Sequence, residues 1–341
     1  MAYKYGPFSH LETLAREVGW LKSLESVPVY VIDGVPPCEK LEEAEKRERH
    51  RKVTQQKLEN LLAQLERNPT DRGILESVSK LERQCFRVNP KMREEALRLL
   101  KALGVAVAQA PAEAERSLAH MQRSGLVDVI FTEDIDVLVC GARSFIKNSA
   151  CLMYEQEGRF AEPRFAEEVT LADVLSGLEM TYESFVTMSV FSGSDFAPKL
   201  ARFGPATAWK HVKRFGESVE ACFQDLGPSD RSLTERYRRA VELLTYASLE
   251  RGPTPSETKS PSKEEIEGLL QELRPFGSVA VLRAYVERCI PNKDEEDAEE
   301  DRPEKRAKVQ GSPNALPLAV VVSAVAPPPV ASWRAADHRG R

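Results

Sequence analysis

Three short blocks of this chain are apolar without interruption: residues 29–32, 105–108 and 129–131. Each is rich in β-branched residues, the pattern of strands buried on both faces of a parallel sheet. Between the last two, residues 112–124 have helical spacing. Leu118 and Met121 form the apolar stripe, Pro111 precedes it, and Gly125 is placed to end it. Strand, helix and strand in that order predict a right-handed β-α-β unit. Upstream, residues 10–24 carry Leu11, Leu14, Val18 and Leu21 on one helical face. Downstream, the pattern predicts a hairpin around 151–160, helices at 171–178 and 182–191, helical sequence over 217–251, a linker at 252–262 and a helical pair over 263–289.

Residues 39–103 interrupt the strands with a helical, heavily charged excursion that Pro69 and Gly73 divide and Gly104 closes. Sixty-five residues are far more than a crossover between neighbouring strands needs. A long excursion at the mouth of a sheet is commonly functional, and the bland alternative is a solvated helical hairpin. The chain as a whole is acidic, with a net charge of −5, so any basic surface is local. One lies here: residues 39–101 hold 16 Lys and Arg against 12 Asp and Glu, and the six basic residues of 46–57 face a single acid.

The polar residues that follow the apolar blocks carry the chemistry. Asp33 ends the first block, Glu113 and Glu115 follow the second, and Asp134 and Asp136, with Glu133 beside them, follow the third. Ligand crevices of such sheets lie beyond the carboxyl ends of the strands, where these acids fall. Two carboxylates about 5 Å apart repel by roughly 3 kcal/mol at an effective dielectric near 20, which a bound cation relieves. Oxygen donors without His or Cys nearby favour magnesium or manganese over zinc. Each acid taken alone also fits a helix cap or a solvated loop residue.

A second candidate segment spans 192–216. Asp195 is another acid just past an apolar run, and the turn Phe203-Gly204-Pro205 places a proline where a helix starts. Helix N-termini offer free amides to phosphate oxygens, and Lys199, Arg202, Lys210, Lys213 and Arg214 surround this one. The six cysteines form no C-x-x-C pair, which argues against a zinc site or disulfide framework and fits a reducing compartment. The opening residues lack a secretory leader pattern. The one long apolar tract, 315–326, is too short and too Pro-interrupted to span a bilayer, so no membrane association is expected. It lies in a Pro- and Ala-rich stretch beyond 291 that, with the acidic run 294–301, reads as a disordered tail. The basic cluster 302–308 has the composition of a nuclear import signal, and a nuclear location is expected.

YVIDGVPP, APAEAE, TEDIDVL and SGSDF followed by FGP, in this order and spacing, resemble the flap endonuclease family of structure-specific five-prime nucleases. The resemblance runs from about residue 10 to residue 222, and weakly on to about 290. It implies an α/β, PIN-like parallel sheet flanked by helices, with a helical arch insertion and a helix-hairpin-helix element. It implies two magnesium ions, or manganese, held by Asp33, Glu113, Glu115, Asp134, Asp136 and Asp195. Lys40 and Arg47 match the arch residues that steer the scissile phosphate, and two helical turns apart they would share a face. Lys199, Arg202, Gly204, Lys210 and Lys213 would grip duplex backbone, with a potassium ion bound by main-chain carbonyls.

On this reading the chain divides into a nuclease remnant (1–38), an arch (39–103), an internal nuclease region (104–191), a helix-hairpin-helix region (192–251), C-terminal helices (252–290) and a tail (291–341). The expected partner is branched or flapped DNA, cut by a protein expected to be a monomer. The sequence departs from the family in three ways. The family's first strand, which ends in a metal-binding Asp, has no counterpart ahead of residue 10, so the sheet is expected to lack its central strand. Arg202 stands where a G-x-G hairpin has its first glycine, and the tail holds no sliding-clamp peptide. Two other readings compete: a catalytically degenerate DNA-binding relative, and an RNA-cleaving domain of the same sheet type.

Overall fold

The apolar blocks become strands of one sheet: Val27–Ile32 (β1), Ala106–Gln109 (β2), Val129–Phe131 (β3), Ser144–Lys147 (β4), Glu167–Thr170 (β5) and Ala319–Ser323 (β6), in the order β2-β1-β6-β3-β4-β5. The computed structural model describes residues 8–85, 88–147, 166–201, 203–226, 231–245 and 252–290, and the backbone of 319–323. Neighbours pair in parallel except β4 and β5, which are antiparallel. The fold is therefore α/β with a mostly parallel sheet, and the hairpin expected around 151–160 lies outside the described residues.

Alternate residues of each strand face opposite layers, as the two-residue period of a strand requires. Val29 and Val31 of β1, Ala106 and Ala108 of β2 and Ile130 of β3 join one core. Its helical cover includes Ala114–Arg123 (α5), Leu171–Leu178 (α7), Tyr182–Gly193 (α8), Val219–Asp225 (α10) and Arg231–Leu244 (α11). Tyr30 and Phe131 face the other core, built by Ser9–Ser23 (α1), Pro90–Ala102 (α4), Lys263–Leu273 (α12) and Ala280–Arg288 (α13). Strands buried on both faces are why these blocks read as unbroken apolar runs.

The linker 252–262 closes the β2 edge. Ser256 and Lys259 donate backbone amides to the Val107 and Gly104 carbonyls, at 2.9 and 3.0 Å. Gly104 has φ +70°, and a Cβ on it would lie 1.9 Å from the Lys259 carbonyl oxygen, so only glycine admits the linker.

Two sequence expectations are corrected. Gly73 does not divide the excursion, because it is the second residue of the helix Arg72–Cys85 (α3). The break falls at 68–71, where Asp71 accepts from the Ile74 amide at 3.1 Å and starts α3 in place of Leu41–Arg67 (α2). The tail expected to be disordered contributes β6, which lies between β1 and β3, so the expected gap in the sheet is filled. Val320 to Val322 are a β-branched run, and a slot flanked by two apolar strands offers both edges a partner.

Candidate functional site

The acids gather at the carboxyl ends of β1, β2 and β3. Asp33 leaves β1 and is held on several sides. Its Oδ1 accepts from the Ala114 amide at 2.8 Å, capping α5, and its carbonyl accepts from Gln109 Nε2 at 2.8 Å and Arg93 Nη2 at 2.5 Å. Gly34 lets this turn pack closely: a Cβ there would sit 2.2 Å from the Ala110 carbonyl oxygen. Sequence reading missed Gln109 and Arg93. The one signal was a polar residue ending an otherwise apolar strand.

Asp134 also has a local role, accepting from the Asp136 amide at 2.9 Å at the start of the short helix Asp136–Val139 (α6). The bland reading of an acid as a cap thus holds for one oxygen of Asp33 and one of Asp134. Glu113 immediately precedes α5, yet its side chain caps nothing there, and Glu115 is 7% exposed within the helix.

Mutual repulsion is visible in the ionisation of this group. Burial, and then Asp33, Asp134 and Glu113, push Glu115 up to about 7. Burial and Asp134, with Asp195 and Glu113, raise Asp136 to about 6, while Lys40 opposes the shift. Asp134 and Glu113 act on both Glu115 and Asp136, so one field links them with Asp33 and Asp195.

Cations from the excursion meet that field. Lys40, just ahead of α2, donates to Glu113 Oε2, stands 4.0 Å from Asp195 Oδ2 and lies 4.6 Å above the Phe196 ring. Arg47, two turns into α2, donates to Asp195 Oδ1 at 2.6 Å. The base of α2 is tied to α11 as well, through Arg236 with Glu42 and Arg239 with Glu39. The structure thus brings together Asp33, Glu113, Glu115, Asp134, Asp136, Asp195, Lys40 and Arg47.

Among the described residues, no three His, Cys, Asp or Glu side chains are gathered closely enough to hold a metal ion. The donor chemistry nonetheless fits magnesium or manganese: carboxylate oxygens throughout, short of positive charge, and engaged by a lysine and an arginine.

The 192–216 segment forms a helical hairpin. α8 ends at Gly193, where φ is +118°, and Pro205–Phe215 (α9) begins after Gly204 with Pro205 at its first position. Lys199 and Lys210 are exposed. Lys213 is engaged, donating to the carbonyl and to Oε2 of Glu179 at 3.1 and 2.7 Å. Arg202 lies outside the described residues.

Residues 104–195, which hold five of the six acids, match the family model described as the XPG I-region. Flap endonuclease 1 of Ignicoccus hospitalis is 33% identical over 229 residues, which make up 66% of this chain and 62% of that protein. Flap endonuclease 1 of Trypanosoma cruzi is 29% identical over 263 residues, 75% of this chain and 62% of that one. The chain is related to the flap endonucleases and contains an XPG I-region.

The flap endonuclease relatives are matched over 62% of their own length. Among solved structures, the catalytic core of Rad2 superposes with a TM-score of 0.54 at 17% identity, covering 84% of this chain and 88% of that one. Human GEN1 in complex with Holliday junction DNA gives 0.51 at 16%, covering 86% and 68%. These likenesses show that the chain shares the α/β fold of those two structures.

Proposed function

We propose that this chain is a divalent-metal-dependent, structure-specific DNA nuclease of the flap endonuclease type, a five-prime flap endonuclease with five-prime exonuclease activity, in DNA replication and repair. One observation carries the reading. Lys40 and Arg47, from a 65-residue excursion, reach two of the clustered acids, Glu113 beyond β2 and Asp195 beyond α8. Two phosphate-binding cations beside crowded carboxylates are what phosphodiester hydrolysis requires.

Asp33, Glu113, Glu115, Asp134, Asp136 and Asp195 would hold two magnesium ions, or manganese, directly or through water. Bound there, the metal supplies an activated water and charge neutralisation at the departing oxygen. The chain's own residues do the rest. Lys40 and Arg47 bind the scissile phosphate, Asp33 and Asp134 each keep one oxygen on a helix amide so that the other is fixed in direction, and α2 lies over the single strand. Lys199, Arg202, Gly204, Lys210 and Lys213 grip duplex backbone around the N-terminus of α9, with Lys213 first leaving Glu179. Branched or flapped DNA is the substrate, and the nucleus the proposed location.

A second reading, a DNA-binding relative without catalysis, is favoured by one observation: β6 ends at Ser323, whereas β1, β2 and β3 are each followed by acids. Asp134→Ala separates the two. The nuclease reading expects cleavage to fall by at least about 10²-fold, as loss of a metal ligand exceeds loss of its supporting partner, while DNA affinity stays within about threefold. Cleavage at the parent rate would sink it.

A further inference from the structure

The segment singled out in sequence as the one long apolar tract, 315–326, has no place in the chemistry above. The backbone of its residues 319–323 has one in the sheet. Val27 through Val31 pair with Ala319 through Ser323 on one side, and Val129 through Phe131 pair with Val320 through Val322 on the other, all in parallel. Among the described residues no pairing joins β1 to β3 directly, so without β6 the sheet separates into β2-β1 and β3-β4-β5. The acids divide along the same line. Asp33, Glu113 and Glu115 follow the strands of one half, and Asp134 and Asp136 follow β3 in the other.

We infer that the C-terminal segment 319–323 is a donor strand that locks the two halves of the sheet together and thereby brings the two sets of carboxylates into one site. The residues are suited to it. A β-branched run favours a strand, both neighbours offer unpaired amides and carbonyls, and a parallel partner in a central position satisfies both at once. Residues 291–318 separate it from the helical body, a contour of roughly 90 Å when extended, enough to enter from either end of the sheet. Ser323 pairs with Val31, two residues before Asp33, so the strand finishes level with the acids and adds no carboxylate of its own. It is a positioning element, and the acids act through the frame it closes. The occupant is this chain's own segment, and a strand lent by a second copy is an outcome the test separates.

The test uses the full chain carrying Val321→Pro, with Val321→Ile as the conservative control. Proline removes a ladder amide from a central strand, whichever neighbour it served. Amide hydrogen exchange is followed over 27–32 and 129–131, and manganese affinity by the loss of the free-ion paramagnetic signal. The proline variant is expected to exchange at least about tenfold faster in both strands and to bind manganese at least about tenfold more weakly, with the isoleucine variant unchanged. A synthetic peptide spanning 315–326 should restore protection, and a scrambled peptide should not. Parent protection should be independent of protein concentration.

Unchanged exchange in the proline variant, failure of the peptide to restore lost protection, or protection that falls on dilution would each overturn the inference. So would exchange that rises while manganese affinity holds. The part of the inference that concerns the carboxylates rests on the nuclease reading, and the two fail separately. A parent chain that binds no manganese refutes the metal site, and the exchange data still decide whether β6 joins the sheet.

Discussion

Arg47 donates to Asp195 across 2.6 Å, joining the second turn of a helix in the charged excursion to the turn that follows α8. Lys40, just ahead of α2, donates to Glu113, just ahead of α5. In this arrangement the two cations of the excursion already neutralise two of the acids proposed to hold metal. Metal and lysine therefore compete for Glu113, and linkage makes the competition reciprocal. Lys40→Met is expected to bind manganese about threefold to tenfold more tightly in the absence of DNA, and to cleave at least about tenfold more slowly because the phosphate loses its cation. Titration calorimetry beside single-turnover cleavage reads both. Weaker manganese binding by the variant would show that the lysine supports the metal site instead of occupying it.

The turn holding Asp33 depends on a glycine. A methyl group at residue 34 would meet the Ala110 carbonyl oxygen at 2.2 Å and the Pro111 carbonyl carbon at 2.7 Å, both backbone atoms that cannot swing aside. Gly34→Ala should therefore cost roughly 2–4 kcal/mol in chemical unfolding, in the range of overpacked buried sites, and loosen the cap on α5. A variant as stable as the parent would mean the turn has room that the structure does not show.

In the second core, Glu17 on α1 accepts from the Tyr30 hydroxyl at 3.0 Å, and burial raises its carboxyl to about 7. A folded-state value above the unfolded one means the folded chain binds the extra proton. The stability this contributes is fully present below about pH 4.5 and is lost as pH rises through about 7. Glu17→Gln keeps a neutral side chain at every pH. It should match the parent near pH 4.5 and exceed it near pH 8 by at most about 3 kcal/mol. Equal stability at both pH values would remove burial as the cause.

Much of this was legible in the sequence because burial on both faces leaves an unbroken apolar run, and a run that stops at an acid marks the end of a strand. Asp33, Asp134 and Asp136 could be found that way. The double role of Asp33 could not be, since the amide it caps belongs to Ala114, eighty-one positions away. Gly73 misled because glycine is tolerated in the first turn of a helix, where its entropic cost is small against the cap that Asp71 provides. The tail misled for a different reason. An apolar run flanked by prolines in polar sequence looks unstructured until a slot with two free edges is known to exist, and that slot is set by strands some 190 to 290 positions away. Lys213 stands on the expected helix, but its engagement with Glu179 depends on a left-handed turn at Glu179, φ +51°, that no local pattern announced.

The most direct test is cleavage of an end-labelled five-prime flap duplex by the full chain, with magnesium and with EDTA, beside a binding assay on the same duplex. Magnesium-dependent incision near the junction, abolished by EDTA and by Asp134→Ala, is the expected result. Tight binding of the duplex without incision at any magnesium or manganese concentration would contradict the nuclease reading and leave the non-catalytic DNA-binding relative in its place.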